Sequence, residues 1–316
     1  MAAPEPSSKA ERFLTQQYRL VGRHSAVKIC HWCKERIRGR SPCYKYDFYG
    51  IDSSRCLEMT PAITCNQRCR HCWRDNSLFS RDLPHPVDEP KDIIQNCLKE
   101  REKLLIGFKG NEGMDQKRFA LCLKPNHVAI SLTGEPCLYP KLPELIKEFR
   151  KSGFKTIFLV TNGTVPEMLK RITGKAAPTN LYLSLEVFDK PSYQKFCLPL
   201  EKDNWEKLWQ SMKEIKKLKK KNPKIRTVIR LTLLKHINME KPKALLPFIK
   251  EMQPDFIECK GYMFVGYSRQ RLKQENMPNF EEIQTFAKKL AKLSGYKTAG
   301  QVKISNIVLL KKVSHD

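Results

Sequence analysis

The sequence contains no apolar run that approaches the roughly 18–20 residues of a membrane-spanning helix, which argues against a helical membrane protein. Its first residues also lack the basic start and the apolar middle of a secretory signal peptide. We therefore expect a cytoplasmic protein that does not act at a membrane. Residues 1–20 are predicted to be a disordered tail that leads into a short helix over residues 9–18.

Acidic residues are scarce in this chain of 316 residues. Asp and Glu number 33 against 59 Lys and Arg, which gives a formal net charge of +26. Such an excess of positive charge favours a polyanionic partner, and nucleic acid fits best. The alternative is that the excess of Lys and Arg over Asp and Glu reflects adaptation to high salt or heat, or solubility alone. Charge by itself does not distinguish RNA from DNA.

Cysteines, in contrast, are abundant. Twelve of them in a chain without an export signal indicate metal binding in a reducing compartment rather than disulfides. Cys65, Cys69 and Cys72 form a C-x3-C-x2-C pattern directly after a short apolar run. Three thiolates can hold three corners of a four-iron cluster and leave the fourth iron without a protein ligand. An open metal position is where chemistry takes place.

The alternative to this cluster is zinc. Cys30/Cys33 and Cys69/Cys72 offer two C-x2-C pairs, but more than the roughly 15–20 residues of common zinc ribbons separates them. Zinc would also leave Cys65 unexplained. The C-x3-C-x2-C spacing, with Trp following the last Cys, resembles the signature of the radical S-adenosylmethionine (SAM) superfamily. The resemblance implies that SAM binds the open iron and is cleaved to a 5′-deoxyadenosyl radical.

A second cysteine array precedes the first. Cys30, Cys43 and Cys56 are separated by twelve residues each time, in a loop-rich segment with little apolar content. Such a segment is typical of chain that folds around a metal. The alternative is that these are unrelated buried thiols, because cysteine is readily buried.

From residue 61 onward the sequence alternates between apolar, strand-like runs and helical stretches. Continuous apolar strands between helices predict a parallel sheet covered by helices. We expect an α/β fold, an incomplete (β/α)6 TIM-type barrel with N-terminal and C-terminal extensions. The predicted strands are 61–65, 127–132, 156–160, 181–187, 226–234 and 256–264. The predicted helices are 91–107, 143–151, 166–172, 205–220 and 242–252, with a further helix at 280–293 and a last strand at 302–310. The expected segments are an auxiliary-cluster region (21–60), the barrel (61–265) and a C-terminal extension (266–316).

In such a barrel, functional residues lie at the carboxyl ends of strands. Thr133-Gly134-Glu135 resembles the G-G-E-type motif with which radical SAM enzymes bind the SAM amino group. Asn162 ends the third predicted strand and is a candidate for the adenosine, although Asn-Gly also favours a plain turn. Ser184 is a further candidate SAM contact or a structural residue. Arg230, inside an apolar strand, needs a partner, either the SAM carboxylate or a structural carboxylate.

Longer motifs resemble one family more closely. They are residues 21–28, Cys43-Tyr44-Lys45, residues 48–51, Cys72-Trp73-Arg74, Gly134-Glu135-Pro136, residues 262–269 and Asn276-Met277-Pro278. They resemble the tRNA 4-demethylwyosine synthases of the wybutosine pathway, from about residue 21 to about residue 310. Eukaryotic members carry an N-terminal flavodoxin-like domain that is not found here, so the chain resembles the archaeal form.

This resemblance implies a lyase-class reaction. Two carbons of pyruvate condense with 1-methylguanosine beside the anticodon of tRNA-Phe, after the radical takes hydrogen from the N-methyl group. Two 4Fe–4S clusters are implied, one on Cys65, Cys69 and Cys72 and one on Cys30, Cys43 and Cys56. Lys45 matches a family lysine proposed to form a Schiff base with pyruvate. The rival is chelation of pyruvate by an open iron of the second cluster, which would fail if Cys33 were a fourth ligand; we expect Cys33 to be a spectator.

The RNA contacts are the least specific of these predictions. Tyr262, Phe264, Tyr267 and Arg269 are candidates to receive a base taken out of its stack. Lys216 and Lys220 belong to a basic run that fits either a phosphate-contacting face or a solvated helix. We further expect a monomer that takes electrons from a ferredoxin- or flavodoxin-like donor. The open alternatives are a radical SAM enzyme that modifies another RNA base and a zinc-stabilised RNA-binding protein.

Overall fold

The structure, a computed structural model, describes residues 17–77, 79–110 and 114–313. The tail and most of the helix predicted over residues 9–18 lie outside the described residues. Within the described ranges, no helix is long and apolar enough to cross a membrane.

The centre of the molecule is a run of six parallel strands in sequence order. They are β3 (Cys56–Thr60), β4 (His127–Ile130), β5 (Thr156–Thr161), β6 (Asn180–Leu185), β7 (Arg226–Leu233) and β8 (Phe256–Gly261). Antiparallel strands extend both edges, so β3 and β8 do not pair and the barrel stays open. These are β1 (Arg19–Val21) and β2 (Ser25–Lys28) beside β3, and β9 (Lys297–Val302) and β10 (Ile307–Lys311) beside β8. The predicted incomplete six-stranded α/β barrel is confirmed.

The helices connect and cover the strands. They are α1 (His31–Ile37), α2 (Tyr44–Tyr49), α3 (Pro90–Ile106), α4 (Gln116–Cys122), α5 (Leu142–Lys151), α6 (Pro166–Arg171), α7 (Lys190–Cys197), α8 (Asn204–Lys221), α9 (Leu246–Met252) and α10 (Phe280–Ser294). Every helix predicted from residue 61 onward is present within a few residues of its expected bounds. Four helices of six to eight residues, α1, α2, α4 and α7, were not predicted, because one or two turns give too short a pattern to be recognised.

The first barrel strand was predicted wrongly. It runs over Cys56–Thr60, not over residues 61–65. Leu57 and Met59 alternate into the core and are fully buried. Pro61 has no backbone N–H for the ladder, and the Thr60 hydroxyl bonds both backbone groups of Ala62 (2.9 and 3.1 Å), which turns the chain. The following residues therefore form a loop at the carboxyl end of β3, and Cys65 lies in it.

The last predicted strand, 302–310, was also wrong as a single strand. It is a hairpin in which β9 and β10 are joined by a short 3-10 turn over Lys303–Ser305. Asn306 takes a left-handed backbone conformation (φ 52°) that Asn tolerates better than most residues. The hairpin extends the sheet from β8 and, with α10, forms the end of the chain.

Candidate active site

One cavity of about 540 Å³ lies inside the open barrel, and all six predicted ligand cysteines line it. The same walls carry Lys45, Thr133, Gly134, Glu135, Asn162, Ser184, Arg230 and Tyr262. Phe264, Tyr267, Arg269, Lys216 and Lys220 do not line it. The fold thus brings together residues that are more than 200 positions apart, with Cys30 and Tyr262 as one such pair.

The loop that carries Cys65, Cys69 and Cys72 is held by a residue that the sequence did not reveal. The Arg271 guanidinium donates to the backbone carbonyls of Arg70 (3.3 Å), Arg74 (3.2 Å) and Cys72. It also donates to the Asn76 side chain (2.9 Å), which in turn donates to the Cys69 carbonyl (3.0 Å). Arg271 thereby ties the loop to the chain that follows β8.

The pKa values of the six cavity thiols are raised, so these thiols need a nearby cation in order to ionise. Burial raises the pKa of Cys65, and the Glu135 carboxylate raises it further. Burial also raises the pKa of Cys72, against the charge of Arg74. A hydrogen bond with Cys197, followed by burial, raises the pKa of Cys69. Burial likewise raises the pKa of Cys30 and Cys43, and raises that of Cys56 to about 11. Without a cation these thiols stay neutral, whereas bound iron would ionise them.

The arrangement of the thiols fits a cluster better than a single ion. Among the described residues, no three His, Cys, Asp or Glu side chains converge closely enough to hold one metal ion. A four-iron cluster has a separate iron for each thiolate, so its ligands do not have to meet at one point. Half-buried thiols that line a shared cavity are a donor set that such clusters can take.

The predicted SAM-binding strand end is built around Glu135. Its buried carboxylate accepts hydrogen bonds from the Thr161 hydroxyl (2.7 Å) and from the backbone N–H groups of Asn162 (2.7 Å) and Cys137 (3.0 Å). Burial raises the pKa of this carboxyl, and the hydrogen bonds oppose that effect. The buried Thr133 hydroxyl finds no hydrogen-bond partner in the part of the chain that the structure describes. An unpaired polar group of this kind is where a ligand's polar group fits.

Gly134 is required by sterics. Its φ is +70°, and a Cβ at this position would lie 1.9 Å from the Ala62 carbonyl oxygen and 2.3 Å from that of Thr64. Both obstacles are backbone atoms of the loop that leads to Cys65. The loop and the strand end are therefore packed backbone against backbone.

We expect Gly134→Ala to lower both the melting temperature and SAM binding strongly. The left-handed conformation costs roughly 1–2 kcal/mol for a residue with a Cβ, and displacing the 62–64 backbone adds to this cost. Gly153→Ala is the matched control, because Gly153 also has a positive φ (+84°) but no atom within 4 Å of a Cβ. Thermal unfolding and SAM titration of both variants check this. Equal losses of melting temperature and of SAM affinity in the two variants would contradict the close approach of Gly134 to the backbone of residues 62–64.

Asn162 connects the strand end to the cysteine loop. Its side-chain amide donates to Asn66 Oδ1 (3.1 Å) and approaches Cys65 Sγ at 3.6 Å.

His71 is a further residue at this place that was not predicted. Its ring stacks on Phe196 and lies 3.4 Å from a Glu186 oxygen. Its buried Nδ1 has no partner among the described residues. The side chains of Asn162 and His71 both line the cavity beside the loop of Cys65, Cys69 and Cys72, which we call the cluster loop.

A buried carboxylate organises the part of the cavity near the second cysteine array. Glu258 is fully buried and accepts hydrogen bonds from the hydroxyls of Tyr44 (3.2 Å), Tyr49 (2.9 Å) and Tyr182 (2.8 Å). Arg230 lies 3.6 Å from the same carboxylate and donates to Tyr44 (2.8 Å). Of the two partners expected for Arg230, the structure thus supplies the structural carboxylate. A contact of Arg230 with SAM stays a prediction.

Two lysines line the cavity, and only one was predicted. Lys45 Nζ lies over the Phe158 ring, 4.4 Å from its centroid. Lys260 donates to the Ser305 carbonyl (2.6 Å), and burial, followed by the charge of Arg230, lowers the pKa of its amine to about 8. The interruption of an apolar strand by Glu258 and Lys260 was the sequence signal that could have identified both residues.

Cys33, whose role the sequence left open, does not line the cavity. Its thiol donates to the Ser54 carbonyl (3.7 Å) within a separate apolar core. The spectator prediction for Cys33 agrees with this position.

The predicted RNA contacts lie at different places in the fold, and one of them, Tyr262, is not accessible to a base. Tyr262 is buried, and its hydroxyl bonds Ser268 (2.8 Å), so its ring cannot receive a base without rearrangement. The side chains exposed at the cavity edge are Trp73, Met263 and Val265, and the Arg269 guanidinium lies 5.6 Å from the Phe264 ring centroid. Lys220 lies in the last turn of α8, which leads to the amino end of β7 and thus to the edge away from the cluster loop.

Comparison with known proteins identifies the family. The model of the radical SAM superfamily matches residues 59–249, and that of wyosine base formation matches residues 251–312. The SAM-dependent tRNA 4-demethylwyosine synthase of Pyrococcus abyssi is 44% identical over 96% of this chain and 89% of its own length. That of Methanocaldococcus jannaschii is 37% identical over 94% of this chain and 93% of its own length. The chain belongs to the SAM-dependent tRNA 4-demethylwyosine synthase family.

Solved structures of this family agree. A TYW1 structure with a lysine–pyruvate adduct bound superposes with a TM-score of 0.86 at 35% identity, over 97% of this chain and 96% of that one. The crystal structure of archaeal TYW1 gives 0.79 at 32% identity, again over 97% and 96%. The rice synthase is 38% identical, and the match spans 94% of this chain but 45% of that longer protein. As a tRNA 4-demethylwyosine synthase, the protein is a radical SAM enzyme that uses SAM and a 4Fe–4S cluster and acts on tRNA.

Proposed function

We propose that this synthase condenses two carbons of pyruvate with 1-methylguanosine beside the anticodon of tRNA-Phe, and releases the carboxylate carbon. The observation that carries the proposal is that two cysteine triads and Lys45 line a single cavity. A radical formed near one triad can then reach a partner held near the other within the same cavity. Reactive intermediates of this kind are protected when water is kept from the site.

The end near the cluster loop is the proposed SAM site. A cluster bound to Cys65, Cys69 and Cys72 would supply the electron that splits SAM into methionine and the 5′-deoxyadenosyl radical. In this chain, the unpaired Thr133 hydroxyl and the Glu135 strand end are available for the methionyl group. Gly134 allows the close approach, and Asn162 and Ser184 line the wall beside them.

The other end is the proposed pyruvate site, where a second 4Fe–4S cluster would be held by Cys30, Cys43 and Cys56. Lys45 lies two residues after Cys43 and faces the cavity. A neutral Lys45 amine can attack the keto carbon of pyruvate and form a Schiff base with loss of water. Arg230 and Lys260 add positive charge to these walls, which suits the pyruvate carboxylate. Chelation of pyruvate by an open iron remains the rival role, and the position of Cys33 outside the cavity lining supports that rival.

The target base must leave its stack to reach the radical, at a cost of a few kcal/mol. Trp73, Met263 and Val265 form an exposed apolar edge of the cavity, and the Arg74 guanidinium lies 3.4 Å from the Trp73 ring centroid. Tyr267 is tied to this edge, because its backbone N–H donates to the Trp73 carbonyl (3.0 Å). We place the docking of the anticodon loop here, with Tyr267 and Arg269 as contacts.

We expect the double variant Tyr267→Ala/Arg269→Ala to weaken tRNA binding about tenfold to a hundredfold, since stacking contributes about 1–3 kcal/mol per base. The backbone bond of Tyr267 to Trp73 survives these substitutions. Lys297→Ala, at an exposed position on β9, is the control for lost charge. Filter binding at a fixed salt concentration measures both. Unchanged affinity and turnover in the double variant would remove Tyr267 and Arg269 from the interface.

The function is tested with anaerobically reconstituted protein, a tRNA-Phe transcript that carries 1-methylguanosine, SAM, a reductant and labelled pyruvate. Mass spectrometry of the digested tRNA should show a tricyclic base that retains two pyruvate carbons. The protein should hold about eight iron per chain, as two four-iron clusters require. SAM cleavage with a modified base that carries no pyruvate carbon would instead support another RNA modification. A cytoplasmic location, a ferredoxin- or flavodoxin-like donor, a monomeric state and the three-segment division stay predictions.

A further inference from the structure

Two cysteines outside the cavity meet in an apolar core of their own. Cys33 lies in α1 and Cys122 is the last residue of α4, 89 positions later. Their sulfur atoms are 4.0 Å apart, and both side chains are buried. Around them pack Ile29, Ile37, Leu105 and Phe119. Neither thiol is used by the chemistry proposed above.

A buried arginine accompanies this pair. Arg101, in α3, is 1% exposed, and its guanidinium donates to Cys122 Sγ (3.2 Å) and to the Ser54 carbonyl (3.0 Å). It also lies 3.9 Å from Cys33 Sγ. No carboxylate among the described residues forms an ion pair with it. The guanidinium also donates to the backbone carbonyls of Cys122 and Cys56 (3.5 Å), so the two thiols are its ionisable contacts and the carbonyls are its neutral ones.

Cys122 has the environment of a reactive thiol. A hydrogen bond between the two thiols and the charge of Arg101 lower the pKa of Cys122 to about 7, against the effect of burial. The thiolate is the nucleophile in disulfide exchange, and a second thiol within reach resolves the mixed disulfide. The buried Cys97, in contrast, has its pKa raised by burial alone.

We propose that Cys33 and Cys122 form a reversible dithiol–disulfide couple that a low-molecular-mass disulfide oxidises. The Cys122 thiolate attacks one sulfur of the small disulfide, which forms a mixed disulfide and releases one small thiolate. Cys33 then attacks Cys122 Sγ and gives its proton to the released thiolate. The second small molecule leaves as a thiolate, so that the two protein sulfurs lose two electrons and the small disulfide gains them.

A disulfide between these cysteines would have a structural consequence. A cavity of about 400 Å³, lined by Arg101, Lys99, Lys124 and Glu102, lies beside Leu123, the residue after Cys122, but neither thiol lines it. A disulfide bond of about 2.05 Å draws the first turn of α1 toward α4. The Cys33 N–H donates to Cys30 Sγ (3.3 Å), so this movement disturbs a proposed cluster ligand. Oxidation should therefore hinder iron uptake by Cys30, Cys43 and Cys56.

The test uses the full-length, cluster-loaded protein, equilibrated without oxygen in buffers of rising glutathione disulfide to glutathione ratio. The protein is acid-quenched, alkylated under denaturing conditions and digested without reduction. We expect the Cys33–Cys122 linked peptide to rise at least about tenfold across the series. Alkylation of both cysteines in every buffer would overturn the proposal. So would Cys122 found only as a glutathione adduct or joined to another cysteine.

Matched variants test which residues the Cys33–Cys122 linkage requires. Cys33→Ser and Cys122→Ser should lose the linked peptide, whereas Cys97→Ser should keep it. Arg101→Met should slow linkage about tenfold, and Arg101→Lys, which keeps the charge, should restore most of the rate. Equal rates in these two variants and the wild type would remove Arg101 from the couple.

The coupling to iron, which rests on the proposed second cluster, has its own measurement. Protein stripped of iron is oxidised, checked for the linked peptide, reconstituted without a reducing thiol and assayed for iron. Oxidised wild type should bind about four iron per chain, and Cys122→Ser about eight. About eight in linked wild type would overturn the coupling. About four in both proteins would contradict the second cluster itself, while the linked peptide would still support the couple.

Discussion

Replacing Cys65, Cys69 or Cys72 with alanine should reduce SAM cleavage to background, whereas replacing Cys30, Cys43 or Cys56 should stop formation of the tricyclic base and spare part of the cleavage. The two triads line one cavity, and the loop of the first is packed against the Glu135 strand end. Loss of one thiolate from the first triad removes an anchor of the cluster that reduces SAM. Loss of one from the second leaves SAM and its cluster in place but removes the proposed pyruvate site.

Chromatography of 5′-deoxyadenosine, together with iron content and product analysis, separates the two outcomes. Each second-triad variant should hold about four iron per chain rather than about eight. Cys259→Ser is a control for thiol loss, because Cys259 is buried in β8 outside the cavity lining. Full product from Cys43→Ala would contradict the two-cluster assignment.

Replacing Lys45 with arginine should lower product formation about a hundredfold or more while SAM cleavage continues. Arginine keeps the positive charge but stays protonated and cannot form a Schiff base. Borohydride reduction in the presence of labelled pyruvate should label wild type at Lys45 and leave Lys45→Arg unlabelled. A related TYW1 has been solved with a lysine–pyruvate adduct, which shows that this chemistry is possible on the same fold.

Lys260→Arg is the matched control for Lys45, since both amines line the same cavity and the pKa of Lys260 is lowered to about 8. We expect Lys260→Arg to be labelled at Lys45 as wild type is. Labelling that is lost in Lys260→Arg and retained in Lys45→Arg would transfer the Schiff base to Lys260. Product formation without labelling of either lysine would favour chelation of pyruvate by iron.

Much of the fold and of the SAM-binding end could be predicted from the sequence because the signals are local. Cys65, Cys69 and Cys72 lie within one segment of eight residues. The alternation of apolar runs with helical stretches persists over most of the chain. Thr133-Gly134-Glu135 follows a strand in the sequence and in the structure. The first strand was misplaced because a five-residue apolar run does not reveal which part of it pairs, and Pro61 and the Thr60 hydroxyl decide this.

The sequence by itself thus determined the parallel α/β barrel, the radical SAM loop and the family. Only the tertiary structure decided which thiols share a space. Cys30, Cys43 and Cys56 enter the cavity, while Cys33, one helical turn after Cys30, turns away to meet Cys122. Likewise, the partner of Arg230 is Glu258, on the neighbouring strand β8. Contacts between distant segments depend on how the whole chain packs, and the spacing of residues along the sequence does not specify that packing.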